Sequence, residues 1–461
     1  MIVVHRKSAN PVLYFQKLDE VTKMYHDLTE GKISRSLLLF ALPMMAGNLL
    51  QQFYNIADTL IVGRVLGSNA LAAVGSAYTL MTFLTSIFLG LSMGSGALFS
   101  IYKGKNDSDA LRSSIVHAFV LIMAVTVFLN ILVYIGINPI LHFLRVPAEV
   151  WDGMKSYLLV IFAGIIATSL YNYFSCLLRA LGNSTIPLVF LAVSAILNIG
   201  LDLLFVAVLP WGIRGAAFAT VIAQYVSGIG ITLYVLLRCR YLLPSGKDLR
   251  FNRQILGEIG NLSSMTCIQQ SVMNFGILMV QGLVNSFGSV VMAAFAAAVK
   301  IDTFAYLPVQ DFGNAYSTFI AQNYGAGKKD RIRKGTKESF LLSFIFCIVI
   351  SAIVYIFAAP LMTIFVSAKE TAVIACGVQY LRVEGSFYCG IGCLFLLYGY
   401  YRAIKKPGMS VVLTVLSLGT RVALAYLLSA YIGEIGIWMA IPIGWLLADA
   451  IGLIYMKFRG I

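Results

Sequence analysis

The chain has 461 residues, of which 59% are hydrophobic and only 12% charged, and its mean hydropathy is +0.85. A composition this apolar excludes an ordinary soluble domain, in which about 45–50% of residues are apolar and about 25% charged. The 34 Lys and Arg against 20 Asp and Glu give a formal charge of +14, which would suit a nucleic-acid binder, so the placement of the basic residues decides their meaning.

A window of about 19 residues finds apolar spans at 37–62, 70–101, 113–136, 154–178, 187–209 and 213–237, then at 261–285, 290–322, 338–358, 376–401, 409–430 and 435–456. Each is long enough for the roughly 20 residues that cross a bilayer as a helix. The fold expected is therefore an all-α polytopic membrane protein with twelve transmembrane helices. Among the basic residues Lys300, Arg382 and Arg421 fall deep inside spans, while Lys155 and Arg214, at the very ends of theirs, count with the loops. Of the other 31, 26 lie in the N-terminal segment, the even-numbered loops and the C-terminus, and five (Arg64, Arg145, Lys155, Arg214 and Lys369) lie in the odd-numbered loops. The positive-inside rule then puts both termini in the cytoplasm, and the charge reads as topology, with no nucleic-acid partner. Residues 1–36 are too polar for a signal peptide, so the first span serves as its own insertion signal; Met24 is a candidate start.

The first span contains "PMMAGNLLQQFYNIADTLIVG" at 43–63. At 100° per residue, Asn48, Gln52 and Asn55 fall within about 60°, and Gln51 and Asp58 widen the arc to about 120°. Lipid would leave these groups unsatisfied, so the stripe is expected to face the bundle or a wet cavity. In the fifth span, Asn198 and Asp202 are one turn apart on one face. Counted from the span starts, Asp202 stands about 22 Å and Asp58 about 31 Å from the cytoplasmic end. Carboxylates at comparable depth in a low dielectric make a proton site, or with the Asn198 oxygen a Na⁺ site; a purely structural network is the alternative.

The seventh span repeats the polar stripe with Ser263, Thr266, Gln270, Asn274, Gln281 and Asn285. The eighth carries Lys300, Asp302 and Asp311 around Pro308; Lys300 and Asp311 share a face but lie about 16 Å apart, so each needs a partner elsewhere. Arg382, Glu384 and Tyr388 fall in the tenth span, with Tyr388 one turn beyond Glu384, and Arg421 and Asp449 in the last two. Asp449 lies near the cytoplasmic surface, where a solvated or structural role is as open as a functional one. The seven cysteines form no CxxC pair and read as packing. No GxxxxGK[ST], HExxH or GxSxG occurs, so neither an ATP-driven machine nor a hydrolase is expected.

Residues 67–119 slide onto 288–340 at a constant offset of 221 with eleven identities, among them Gly67/Gly288, Phe83/Phe304, Gly104/Gly325 and Arg112/Arg333. Arg179-Ala180 recurs as Arg402-Ala403 at an offset of 223, and Gly212 and Gly215 as Gly433 and Gly436 at 221. The chain is thus read as a duplicated six-helix unit. An even number of helices keeps both copies in one orientation, so two bundles related by a pseudo-two-fold axis along the membrane normal are expected. The expected division is a cytoplasmic segment at 1–36, a first bundle at 37–237, a linker at 238–257 and a second bundle at 258–457.

"LPMMAGNLLQQFYNIADTLIVGRVLG", "RALGNSTIPLV", "ILNIGLD" and "FIAQNYGAGKKDRIRKG" together resemble the bacterial members of the MATE (multidrug and toxic compound extrusion) family over about residues 30–457. The resemblance implies an antiporter in the bacterial cytoplasmic membrane that exports cationic or amphiphilic organic compounds in exchange for H⁺ or Na⁺, without a cofactor and as a monomer. It implies cation coupling at Asp58, Asn198 and Asp202. Members that couple through the second bundle place a glutamate in helix 7, where this chain has Gln269 and Gln270. Asn48, Gln51, Gln52, Asn55, Gln270, Asn274, Lys300, Asp302, Asp311 and Glu384 are the candidates for lining the substrate cavity. A flippase for a lipid-linked saccharide, from the same superfamily, is the alternative; it calls for a basic cavity, whereas intramembrane acids outnumber the three bases.

Overall fold

In the computed structural model of the chain the described residues are 27–143, 146 and 148–459; the candidate start at Met24, the segment ahead of Asp27 and Arg145 lie outside them. The described residues form helices and no strand. Helix α1 runs Ile33–Leu66, α2 Ser68–Gly104 and α3 Ser108–Phe143. Helix α4 comprises Ala148–Ile161, a tight turn at Phe162–Gly164 and Ile165–Ala180. Helix α5 runs Thr185–Asp202 and widens into a π turn at Leu203–Val208, and α6 runs Gly212–Arg238. In the second half, α7 is Arg253–Asn285, α8 Ser289–Gly325 and α9 Lys329–Ile356, with a short helix at Ala358–Phe365. Helix α10 has two pieces, Thr371–Gly385 and Tyr388–Ala403, bent by 51°; α11 is Pro407–Ile432 and α12 Glu434–Arg459.

Eleven of these helices are long and apolar enough to cross a bilayer, and the α10 pair makes the twelfth when counted as one span. The unbroken tenth helix expected over 376–401 is corrected by the break at Ser386–Phe387, which separates Glu384 from Tyr388. Apolar side chains cover the outside: Ile135 is 79% and Ile196 73% exposed. In water such a surface would drive association, whereas in a bilayer it meets acyl chains.

The duplication is visible in the backbone. Helices α2 and α8 both have 37 residues and begin and end at the same offset. The turns ahead of them use Gly67 (φ 85°) and Gly288 (φ 93°), a left-handed conformation open to glycine without a Cβ penalty. The apolar cores follow the lobes but exchange helix ends: the start of α1 (Leu37, Phe40, Met44) packs into the core of the second half, and the start of α7 (Ile255, Ile259, Leu262) into a core of the first; in the second half's core Phe295 stacks on Trp438 with Tyr380 edge-on to both.

The two lobes meet where α1 lies along α8 and, by the pseudo-symmetry, α7 along α2. Gly90 and Gly94 let the backbone of α2 touch that of α7; a methyl on Gly94 would stand 2.5 Å from the Ser263 Cα. Ser263 Oγ then donates to the Leu91 carbonyl at 2.9 Å and meets Ser95 Oγ at 3.0 Å.

Two straps close one end of the molecule. The segment before α1 docks on the second lobe: Arg331 donates to the carbonyls of Leu28, Glu30 and Gly31, Lys328 to that of Thr29, and Asn323 to that of Leu28. The segment before α7 docks on the first lobe, with Asp248 on Arg112 and the Asn252 N–H on His117. Among the described residues, the hydrogen bonds that join the lobes lie in the half of the molecule that carries the termini.

Candidate functional site

The polar stripe of α1 divides between two neighbours. Its far end, Asp58, faces Asp202 at the end of α5, and the two carboxyl groups come within hydrogen-bonding reach of each other. Two carboxyls brought together in this way must share a proton or be bridged by a cation. Asp202 is fully buried. Both of its oxygens, one of Asp58 and the Asn198 amide oxygen are buried without a protein donor. Asn198 spends its NH₂ on Thr220 at 3.3 Å, which leaves that oxygen free. Buried oxygens without donors are costly, and a proton or a monovalent cation would satisfy this set. Among the described residues no group of three or more His, Cys, Asp and Glu has the geometry of a metal site, so a bound Na⁺ would draw on the Asn198 oxygen and on water.

Local irregularities position these groups. Helix α5 turns from α to π directly after Asp202, a distortion that in helices often accompanies function. In α4 the tight turn at Phe162–Gly164 turns carbonyls outward to side chains: that of Phe162, which also accepts the Ile165 N–H, receives Asn130 Nδ2 at 2.7 Å, and that of Ala163 receives the Tyr225 hydroxyl at 2.8 Å. Just before that turn, Tyr157 is buried beside Asp58, Asp202 and Tyr54. The sequence reading missed Tyr157; its recurrence as Tyr380 at the 223 offset was the available signal.

The near end of the stripe faces the other lobe. Asn48 Nδ2 donates to Asp311 Oδ1 of α8 at 2.5 Å, and the Phe53 ring lies 5.7 Å from that of Phe304. Gln51 bonds Tyr54, while Gln52 and Asn55 are half-buried. On α7, Gln269 and Gln270 are buried and Asn274 half-buried.

A second acid pair lies inside the second lobe. Asp302 and Glu384, 4% and 3% exposed, reach each other, Tyr388 and Tyr380, and Arg421 of α11 lies in their field. The break in α10 lets Glu384, near the end of one piece, and Tyr388, at the start of the next, both turn toward α8. Lys300 is not brought to these acids: it is exposed, with Nζ 6.0 Å from the Phe365 ring. Arg382 packs over Tyr355 instead. Asp449, for which a solvated, a structural and a functional role were all open, is 7% exposed and packed under α10 beside Cys393, so it is not solvated.

A multi-pass helical protein of two pseudo-symmetric lobes, with buried ionisable groups inside its spans, has the architecture of a membrane transporter. The sequence profile of the MatE family matches residues 43–204 and 263–427, and the chain belongs to that family of transporters. It is 29% identical over 434 residues to the probable multidrug resistance protein YpnP of Bacillus subtilis (strain 168), covering 94% of this chain and 97% of that protein. It is 26% identical over 442 residues to the probable multidrug resistance protein YoeA of the same strain, covering 94% of each. Its fold matches that of a MOP superfamily transporter from Pyrococcus furiosus with a TM-score of 0.88 at 23% identity, over 94% of this chain and 97% of that one.

Proposed function

We propose that the protein exports cationic or amphiphilic organic compounds across the bacterial cytoplasmic membrane in exchange for H⁺ or Na⁺, by alternating access between its two lobes. Its relatives carry the names of multidrug resistance proteins. The observation that carries the coupling is the pair Asp58 and Asp202, whose buried oxygens, with that of Asn198, lack protein donors. A proton or Na⁺ entering this set changes its charge by one unit inside the lobe. Only an ion that binds the two lobe arrangements with different affinity can drive one toward the other. Asp58 reaches the pair from the helix that also forms the seam through Asn48, so ion occupancy acts on the element whose tilt sets the lobe contact.

In this reading both termini are cytoplasmic, residues 37–237 and 258–457 act as the moving bodies, and 238–257 is their tether. The straps then close the cytoplasmic side and the seam parts toward the outside. One chain suffices, since each lobe contributes one wall of the pathway. The flippase reading is not favoured: Lys300 and Arg382 pack on aromatic rings, and Arg421 sits beside the inner acid pair.

Ethidium efflux from vesicles carrying wild type or Asp58→Asn, driven separately by a pH and by a Na⁺ gradient, tests the proposal. Efflux by the wild type under one gradient, lost in the variant, is expected and names the ion. No efflux under either gradient overturns it.

A further inference from the structure

The stretch 238–253, which joins α6 to α7, combines two properties that the other turns at the terminus-bearing end keep apart. It carries Arg238, Arg240, Lys247, Arg250 and Arg253, all exposed, against a single acid, Asp248. Asp248 is buried and already held by Arg112 and Ser245, and none of the five cations forms an ion pair among the described residues. The charge alone would be ordinary for a loop on the cytoplasmic side. It leaves unexplained that the same stretch exposes Tyr241 (57%), Leu249 (62%) and Phe251 (74%). The turns at 105–107, 181–184, 326–328 and 404–406 expose no large apolar side chain, so among these connections the combination belongs to this one.

Position decides what these side chains meet. The loop is tied down, because Asp248 and Asn252 bond Arg112 and His117 of α3. The Phe251 ring lies 6.2 Å from that of His117. One turn further along α3, on the same face, Val120 is exposed on the apolar outside of the protein. Phe251 therefore stands about one helical turn from surface that meets acyl chains. At the other end of the loop, Leu233, Leu236 and Leu237 carry the exposed apolar face of α6 up to Arg238, and Tyr241 and Leu243, both exposed, follow directly after the helix ends.

We infer that residues 238–253 form a docking surface for anionic phospholipids of the leaflet in which α6 ends and α7 begins. Tyr241, Leu249 and Phe251 sit among the upper parts of the acyl chains, and the five cations take the headgroup phosphates above them, each long basic side chain laying its apolar stem along the same boundary. A neutral leaflet satisfies only the apolar half of this surface, and an acidic partner in water only the charged half. Lipid held here also keeps the second strap on the first lobe, since Asp248 and Asn252 belong to the same loop.

The test uses the full chain in phosphatidylcholine nanodiscs doped with a trace of a photoreactive lipid, either phosphatidylglycerol or phosphatidylcholine, carrying a diazirine near the glycerol end of one acyl chain. After irradiation, adducts are located by peptide mass spectrometry. Wild type is expected to give at least ten-fold more adducts on 241–251 with the phosphatidylglycerol probe than with the phosphatidylcholine probe, and raised salt is expected to shrink that excess. Arg238→Gln, Arg240→Gln and Arg250→Gln together are expected to bring the two probes to parity at 241–251, while adducts on 233–237 persist and show that the variant remains folded in the bilayer. Equal labelling of 241–251 by both probes in wild type, absence of labelling there, or an excess that survives both salt and the triple substitution overturns the docking surface. Both faces of a nanodisc hold the same lipid and no cargo moves, so the result turns neither on the side of the membrane that the termini occupy nor on the export activity.

Discussion

Tyr157 of α4 and Tyr380 of α10 stand 223 residues apart at corresponding places in the two lobes, and each is buried beside a pair of carboxyl groups. The acids themselves do not correspond. At the 221 offset Asp58 maps to Met279 and Asp302 to Met81. Duplication kept the pocket and its tyrosine, and each lobe furnished it with acids from different helices: α1 and α5 in the first, α8 and α10 in the second.

If only the first pocket couples transport to an ion, the two tyrosines behave differently. Tyr157→Phe removes a hydroxyl from the surroundings of the coupling pair and is expected to shift the ion concentration for half-maximal efflux several-fold. Tyr380→Phe removes a hydrogen bond to Glu384 and is expected to cost about 1 kcal/mol of stability with the ion dependence unchanged. Initial efflux rates against ion concentration, with thermal unfolding in detergent, separate the two.

The second pocket reads as structural because it contains its own positive group. Arg421 lies in the field of both Asp302 and Glu384, so Arg421→Ala leaves buried acids without a counter-charge. A loss of about 2 kcal/mol or more is expected, since stripping one member from a buried charged group exposes the desolvation of the rest. Asp302→Asn added to Arg421→Ala is expected to restore part of that loss. If unfolding temperatures show Arg421→Ala to be neutral, the pocket does not depend on the arginine.

Much of this arrangement was legible in the sequence, and the reasons differ by feature. The duplication showed because close helix crossing and left-handed turns admit few residues: Gly104/Gly325 and Gly67/Gly288 recur in register. The α1 stripe showed because lipid tolerates no row of amides. Periodicity says which residues share a face but not what that face meets, so the division of the stripe between Asp202 and Asp311 was hidden. The break in α10 was hidden too, because Gly385, Ser386 and Phe387 are individually compatible with a membrane helix and tertiary packing overrides their weak preference. The strap made by Arg331 could not be read at all, since its acceptors are backbone carbonyls, which every residue has.

That strap has a measurable role. Arg331 holds three carbonyls of the segment before α1 on the second lobe. Arg331→Ala is expected to raise amide hydrogen exchange across residues 28–31 at least ten-fold and to favour the arrangement open at this end. Unchanged exchange would mean that Lys328, Gln322 and Asn323 hold the segment without it.

The second strap carries a pH dependence. Asp248 lies in the loop between α6 and α7; the backbone N–H and hydroxyl of Ser245, each at 2.8 Å, and Arg112 at 3.1 Å hold its carboxyl below the ordinary carboxylate range. A carboxyl whose value is lower in the folded state than the roughly 3.9 of an unfolded aspartate contributes stability at neutral pH, and that contribution is lost as pH falls through the folded value. Hydrogen-exchange protection at 245–252, corrected for intrinsic rates, is expected to hold from pH 8 to pH 5 and to fall near pH 3. In Asp248→Asn it is expected to be low throughout.

The closed end is finally set by two glycines. Gly104 of α2 lies against the Gln322 carbonyl of α8, and Gly325 of α8 lies against the Ile101 carbonyl of α2, so the contact is reciprocal across the pseudo-two-fold axis. A Cβ on either residue would overlap a backbone carbonyl, which has no rotamer by which to yield. Gly104→Ala and Gly325→Ala are therefore expected to shift the population toward the arrangement in which this end is parted, each alone and by similar amounts because the two contacts are equivalent. Spin-label distances between the terminus-side ends of α2 and α8 should lengthen in both. A change in only one variant would show that the straps, and not the crossing, set the lobe angle.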